Sequence, residues 1–304
     1  MYITRAAAFT DQVFSFVPTQ REIEQKVFVP GDRCMPFVDF DALSFSLTFE
    51  FMGQKLPQKL FSTDCNTARD LFYLYGDEFS AQYISSDPAC KDLHIPENSF
   101  ELPLHLKLTG ISLEPVFEKV DFKYGDRILC RVYDWDKGII ELIPILTHKL
   151  NPFQINNEDF ERQKWYEHLE KALLESFDRM GPCSSIEEQL ANVFYENRAE
   201  LCVPNCGSIH EFIEYSKKVG LEFFGVETRL WFKGQDVPAV GKWNLDMYDS
   251  DERMIPFFAL PDFVIDCYLK DQLYEKKDDI NEVISKIIPK TLTISKEEKD
   301  LLTL

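Results

Sequence analysis

Glycine is scarce in this chain, with 12 residues in 304. Few places therefore exist where bare backbone amides could close around a phosphate, and GxGxxG, GxxxxGK followed by Ser or Thr, and GxSxG are all missing. The dinucleotide, P-loop and serine-hydrolase signatures go with them. Histidine is scarcer still: His94, His105, His148, His168 and His210 form no HExxH and no His-x-His. None of the eight cysteines sits in a CxxC, so neither a zinc ribbon nor a thioredoxin-type redox site is indicated. Positive charge is short as well. Lys and Arg total 33 against 52 Asp and Glu, a formal net charge of −19, which opposes unassisted binding to nucleic acid or anionic lipid. The longest apolar run, 254–269, is too short to span a bilayer and is broken by Pro256, Pro261, Asp262 and Asp266. The opening stretch has no basic segment leading into a long apolar run, so no export signal is expected. The expectation from these absences is a cytoplasmic protein without a cofactor or a membrane association. Its thiols are expected to be free, acting as small buried apolar groups.

Aromatic residues are plentiful: 26 Phe, 12 Tyr and 4 Trp can fill large cores. The length suggests about two domains. Before residue 150 the pattern is that of strands. In 44–52, Phe45, Leu47, Phe49 and Phe51 alternate with Ser44, Ser46, Thr48 and Glu50, a period of two that marks a half-buried strand. Leu102, Leu104, Leu106 and Leu108 repeat it, with Pro103 marking an edge or a strand start. The runs 127–134 and 139–143 flank Trp135-Asp-Lys-Gly138 and predict a hairpin. A helix is predicted at about 65–75, with Gly76 as its stop. Gly-Asp-Arg occurs twice, at 31–33 and 125–127, 94 residues apart. Two related β units would explain the echo, and so would a turn preference met twice.

After residue 150 the period becomes 3.6. Trp165, Leu169, Leu173, Phe177 and Met180 give a helix over 157–180 one apolar stripe, with Asn157 as its cap and Gly181 as its end. Ser185-Ile-Glu-Glu188 and Ser208-Ile-His-Glu211 read as capping boxes opening two more helices, the second ending at Gly220. Residues 223–232 alternate again, with Gly225 placed to bend them into a hairpin. Further helices are expected at about 261–276 and 279–288, with a short one from Ser295. The fold class is α+β: a β-rich, barrel-like domain over 1–150, then a mostly helical domain over 151–304.

Two short segments resemble known families. Residues 124–142, where Gly125-Asp126 enters a strand and Trp135-Asp-Lys-Gly138 turns the chain back, resemble the closing hairpin of S1-type OB domains and small SH3-like barrels, in which a Gly-Asp enters a strand and an Asp-x-x-Gly-type turn returns. That resemblance implies a barrel-like piece. An S1-like binding face would draw on Arg131, Tyr133 and Trp135. Residues 184–233, in the order helix, helix, β-ribbon, resemble a winged-helix domain, whose basic spot would be Lys217, Lys218, Arg229 and Lys233. Eight acidic residues against four basic ones over 184–232 weigh against DNA as its ligand, so a protein-docking role is preferred.

Two arrangements touch metal chemistry. Cys202, Cys206 and His210 follow one another with three residues between each, a pattern that zinc sites seldom use, so two buried thiols and a helix-start histidine are the plainer reading. Asp246, Asp249, Asp251 and Glu252 lack the EF-hand spacing and read as a solvated acidic turn. The leading expectation is a non-catalytic interaction or regulatory protein whose partner is another protein. The alternatives are a nucleic-acid-binding protein using the hairpin and the wing, and an enzyme with a motif-free site for a small polar substrate.

Overall fold

The computed structural model describes residues 4–39, 41–90, 104–239 and Tyr268. The chain divides into two compact units, Met1–Pro238 and Ala239–Leu304. The expected acidic turn at 246–252 and the helices after 261 lie outside the described residues, apart from Tyr268.

The first unit opens with helix α1 (Arg5–Phe9), strand β1 (Val13–Phe16), helix α2 (Gln20–Gln25) and the two-residue β2 (Val27–Phe28). Thr19 and Glu22 close a reciprocal capping box at the start of α2. Next come β3 (Thr48–Phe51), β4 (Gln54–Lys55), β5 (Gln58–Asp64), α3 (Cys65–Asp70) and α4 (Asp77–Ser86). The expected helix at 65–75 is therefore shorter. Asp64 caps it, it ends at Asp70, and a single 3-10 turn, Tyr73–Tyr75, follows. Gly76, read as a stop, also occupies the N-cap position of α4, at φ +93°. A Cβ there would lie 2.6 Å from the Val226 carbonyl oxygen, so the position demands glycine on two counts.

The chain continues through β6 (His105–Ser112), α5 (Glu114–Lys119), β7 (Arg127–Asp134) and β8 (Ile139–Ile145). The predicted hairpin is present as the antiparallel β7·β8 pair. Leu106 and Leu108 are buried as expected, but Leu104 is 83% exposed because β6 begins only at His105. Leu102 and Pro103 lie outside the described residues. In the 44–52 run, Leu47, Phe49 and Phe51 face inward while Phe45, ahead of β3, is 40% exposed. The strands form two sheets, one ordered β1-β7-β8-β3-β4 and one ordered β2-β6-β5. The β3·β8 pair is parallel and the other pairs are antiparallel.

Helices dominate next: α6 (Pro152–Met180), α7 (Ile186–Glu196), α8 (Arg198–Leu201) and α9 (Ile209–Tyr215), then the hairpin β9 (Val219–Phe224) and β10 (Glu227–Phe232). Helix α6 starts at Pro152, five residues before the expected 157, because Asn151 and Gln154 form a capping box and Pro152 takes the first turn. Helix α9 ends at Tyr215, so Val219 and Gly220 belong to β9. Gly225, at φ +67°, makes the expected bend. Among the described residues no helix is long and apolar enough to cross a membrane.

The expected boundary near residue 150 does not separate compact units, because one core crosses it. Phe37 stacks on Phe14 at 4.7 Å and meets Phe9 and Phe194 edge-on at 5.6 and 5.2 Å. Phe194 in turn approaches Trp165 at 6.3 Å. Rings from α1, from β1 and from the stretch after the 31–34 turn therefore share one apolar volume with rings from α6 and α7.

Candidate functional site

The two Gly-Asp-Arg segments do not enter equivalent strands. The second leads into β7, whereas the first is a single 3-10 turn, Gly31–Cys34. They do build the same device. Each begins with a glycine at positive φ, +56° at Gly31 and +90° at Gly125. At Gly31 a Cβ would sit 2.1 Å from the Leu71 carbonyl oxygen. Each aspartate is then fully buried and bonded to a distant histidine. Asp32 Oδ1 lies 2.8 Å from His210 Nε2 and Asp126 Oδ1 lies 2.8 Å from His148 Nδ1. Each arginine is buried against a glutamate. Arg33 forks onto Glu22, and Arg127 meets Glu211 with two bonds of 2.6 and 2.7 Å. A planar guanidinium matches a carboxylate in this way, and pairing is what makes a buried charge tolerable.

The first device lines a cleft of about 250 Å³. Phe16, Phe61 and Leu71 supply an apolar wall, with Arg33, His210 and Glu214 among the polar lining. Helix α2 contributes Glu22, which also accepts from the Val29 amide. Helix α9 contributes His210, Glu211 and Glu214, and α3 contributes Asp70. Asp32 is held by a second bond, from the Leu74 amide at 2.7 Å. The aspartate is thus fixed, and the half-exposed His210 is oriented by it.

Burial alone would push the His210 imidazolium down, but the charge and hydrogen bond of Asp32 outweigh it and raise the group above the usual histidine value. Arg33 opposes that rise and Glu214 supports it. Glu211 is held below the ordinary carboxylate range, burial being overcome by Arg127 and by the Ser208 cap. A group raised in the folded state stabilises fully below its unfolded value, about 6.5, and loses that contribution as pH climbs through its folded value. The stability difference between wild type and His210→Gln should accordingly be largest near pH 6 and shrink toward alkaline pH, read from urea midpoints. A difference that stayed flat or grew with pH would contradict the assignment.

The residues expected from sequence to bind are not gathered. Arg131 and Tyr133 are exposed on β7, but Arg131 is paired with Asp11 at 2.6 Å. A bulge between Val132 and Asp134 breaks the alternation, and Trp135, in the turn, donates Nε1 to the Pro36 carbonyl at 3.3 Å. Lys218 pairs with Glu170 at 3.2 Å and Lys233 donates to the Ser216 carbonyl at 3.0 Å. Arg229 is 2% exposed, paired with Glu227 at 2.6 Å and bonded to backbone carbonyls, so it is a core cation. Lys217 is exposed. The expected basic spot is thereby reduced by pairing and burial.

The metal reading of Cys202, Cys206 and His210 is not supported by geometry. Among the described residues no three His, Cys, Asp or Glu side chains are grouped to hold a metal ion, and His210 turns Nε2 to Asp32 instead. Burial pushes the Cys202 thiol up to about 12 and the Cys206 thiol up to about 11, away from the thiolate a metal needs. Sequence reasoning missed Glu22, Asp32, Asp70 and Glu214. The repeated Gly-Asp-Arg pointed to Asp32, and no local signal pointed to the other three. No protein-family model, no curated protein and no solved structure matches this chain, so the site is read from its own geometry.

Proposed function

We propose that this chain is a non-catalytic regulatory protein of the cytoplasm, and that it works by holding a small ligand in the cleft beside His210. The observation that carries this reading is the cleft itself. It is preformed, apolar on one side, and lined on the other by polar groups of which Glu22, Arg33 and Glu211 are held by ion pairs and His210 by Asp32, which is the usual character of a small-molecule site. Its hydroxyls are committed to helix caps and turns. Thr19 binds Glu22, Ser208 binds Glu211, and Thr67 binds Asp64. A nucleophile activated by His210 would need a hydrogen bond to it, and the bond His210 makes goes to Asp32. The cleft draws α2 and α3 from before residue 150 and α9 from after it, so a ligand there would tie those elements together.

A second reading, an enzyme acting on a small polar substrate through acid–base chemistry at His210, is favoured by one feature. Asp32 fixes the imidazole as a catalytic base is commonly fixed. The nucleic-acid reading is weakened, since Arg131, Lys218, Arg229 and Lys233 are all engaged.

The test is thermal unfolding of the full chain against a panel of small cations, anions and neutral molecules, with Val17→Trp filling the cleft as control. A ligand at about 100 times its Kd stabilises by about 2.7 kcal/mol, which is roughly 5–10 °C for a unit of this size. The expected result is such a shift for one chemical class, lost in Val17→Trp. No shift across the panel, or shifts that survive the filled cleft, would contradict the proposal. Turnover of the bound compound would move the assignment to the second reading, and binding of generic DNA or RNA at low salt would restore the third.

A further inference from the structure

The charges around the cleft are unevenly spent. Arg33 places its guanidinium on Glu22 and on the carbonyls of Val29 and Pro30, and its plane rests on the Phe16 ring 4.6 Å from the centroid. His210 faces Asp32, and Glu211 is neutralised by Arg127. The cations nearby are also taken: Arg21 bonds Asp64 at 2.7 Å and Arg69 bonds Asp77 at 2.7 Å. Two lining carboxylates remain. Asp70 and Glu214 are both exposed, so they stand at the open side of the cleft, and neither has a hydrogen-bond or ion-pair partner among the described residues. Titration does not reverse the balance. If His210 loses its proton, the Asp32 charge is uncovered and the cleft becomes more negative.

We propose that the ligand of this cleft is a small organic cation with an apolar body, its charge met by Asp70 and Glu214 and its body laid against Phe16, Phe61 and Leu71. This rests on the reading of the cleft as a binding site. An anion would find two carboxylates and no uncommitted cation. A neutral molecule would gain the wall but not the attraction. The volume, about 250 Å³, exceeds the roughly 150 Å³ that suffices for benzene in an apolar cavity, so a single ring carrying a short charged arm fits. The net charge of −19 adds long-range steering for a cation, which salt would weaken.

Three probes of one shape separate the possibilities: benzylamine, benzyl alcohol and phenylacetate, titrated into the full chain by calorimetry up to about 10 mM. Benzylamine should bind about tenfold tighter than benzyl alcohol, as two exposed charge contacts allow, and phenylacetate should bind weakest. The double variant Asp70→Asn, Glu214→Gln should erase the preference for the amine while leaving the benzyl alcohol affinity in place. Both residues are exposed, so its unfolding midpoint should stay near that of wild type. Phenylacetate binding as well as benzylamine, or an amine preference that survives the double variant, would overturn the cation assignment. If Val17→Trp abolished that binding too, the cleft would stand as a site with a different ligand class. No binding by any of the three would also overturn the cation assignment. The broader panel then decides the cleft itself.

Discussion

Glu22→Ala is expected to cost about 3–5 kcal/mol of folding stability, the range for removing one partner of a buried ion pair. Glu22 is 1% exposed and Arg33 is 8% exposed. The glutamate accepts from both terminal nitrogens of Arg33, from the Val29 amide at 3.0 Å and from the Thr19 amide at 2.9 Å. Truncation would leave the guanidinium buried beside Phe16 with only backbone carbonyls to answer it, and would open the α2 capping box as well. The pair itself is another matter, since taking two charges out of water consumes most of what their attraction returns. The double variant Glu22→Met, Arg33→Met should therefore fall within about 1–2 kcal/mol of wild type. Urea denaturation of the three proteins checks both statements. A single variant as stable as wild type would mean that the charge is not desolvated.

Phe37→Ala is expected to cost a similar amount, about 3–5 kcal/mol, for a different reason. Phe37 is 2% exposed and its ring touches Phe9, Phe14 and Phe194. Removing it forfeits burial and leaves a void bordered by rigid rings that cannot collapse around it. The void would lie between β1 and α7, where the two halves of the unit share one core. Phe37→Leu should recover part of the loss, because volume rather than aromaticity carries most of the term.

Local signals were legible in the sequence and non-local ones were not. Ser185 and Ser208 cap their helices, Gly181 ends α6, Gly225 bends the last hairpin and the Trp135-Asp-Lys-Gly138 turn returns β7 into β8. Each depends on a few neighbouring residues. Helix α4 escaped notice because only Ser80 and Ile84 along it are buried, so no apolar stripe announces it. The first turns of α6 were missed for the same reason. The parallel β3·β8 pairing joins residues some 90 apart, and alternation cannot choose a partner across that distance. Arg229 was expected on an outer face, yet residues 228–231 are buried on both faces of β10. A period of two indicates strand, and it cannot say that a second layer covers the far side. At the site, the Gly-Asp-Arg turns were visible as text, while the partner of Asp32 stands 178 residues away and that of Arg127 stands 84 away.

The strands before residue 150 and the helices after it belong to one compact unit, which is expected to unfold cooperatively with the cleft set into it. Amide hydrogen exchange on the full chain, wild type against Phe37→Ala, tests it most directly. Protection should fall by the same free energy in β7 and in the 165–177 stretch of α6. Loss confined to the strands, with α6 protected as before, would contradict it.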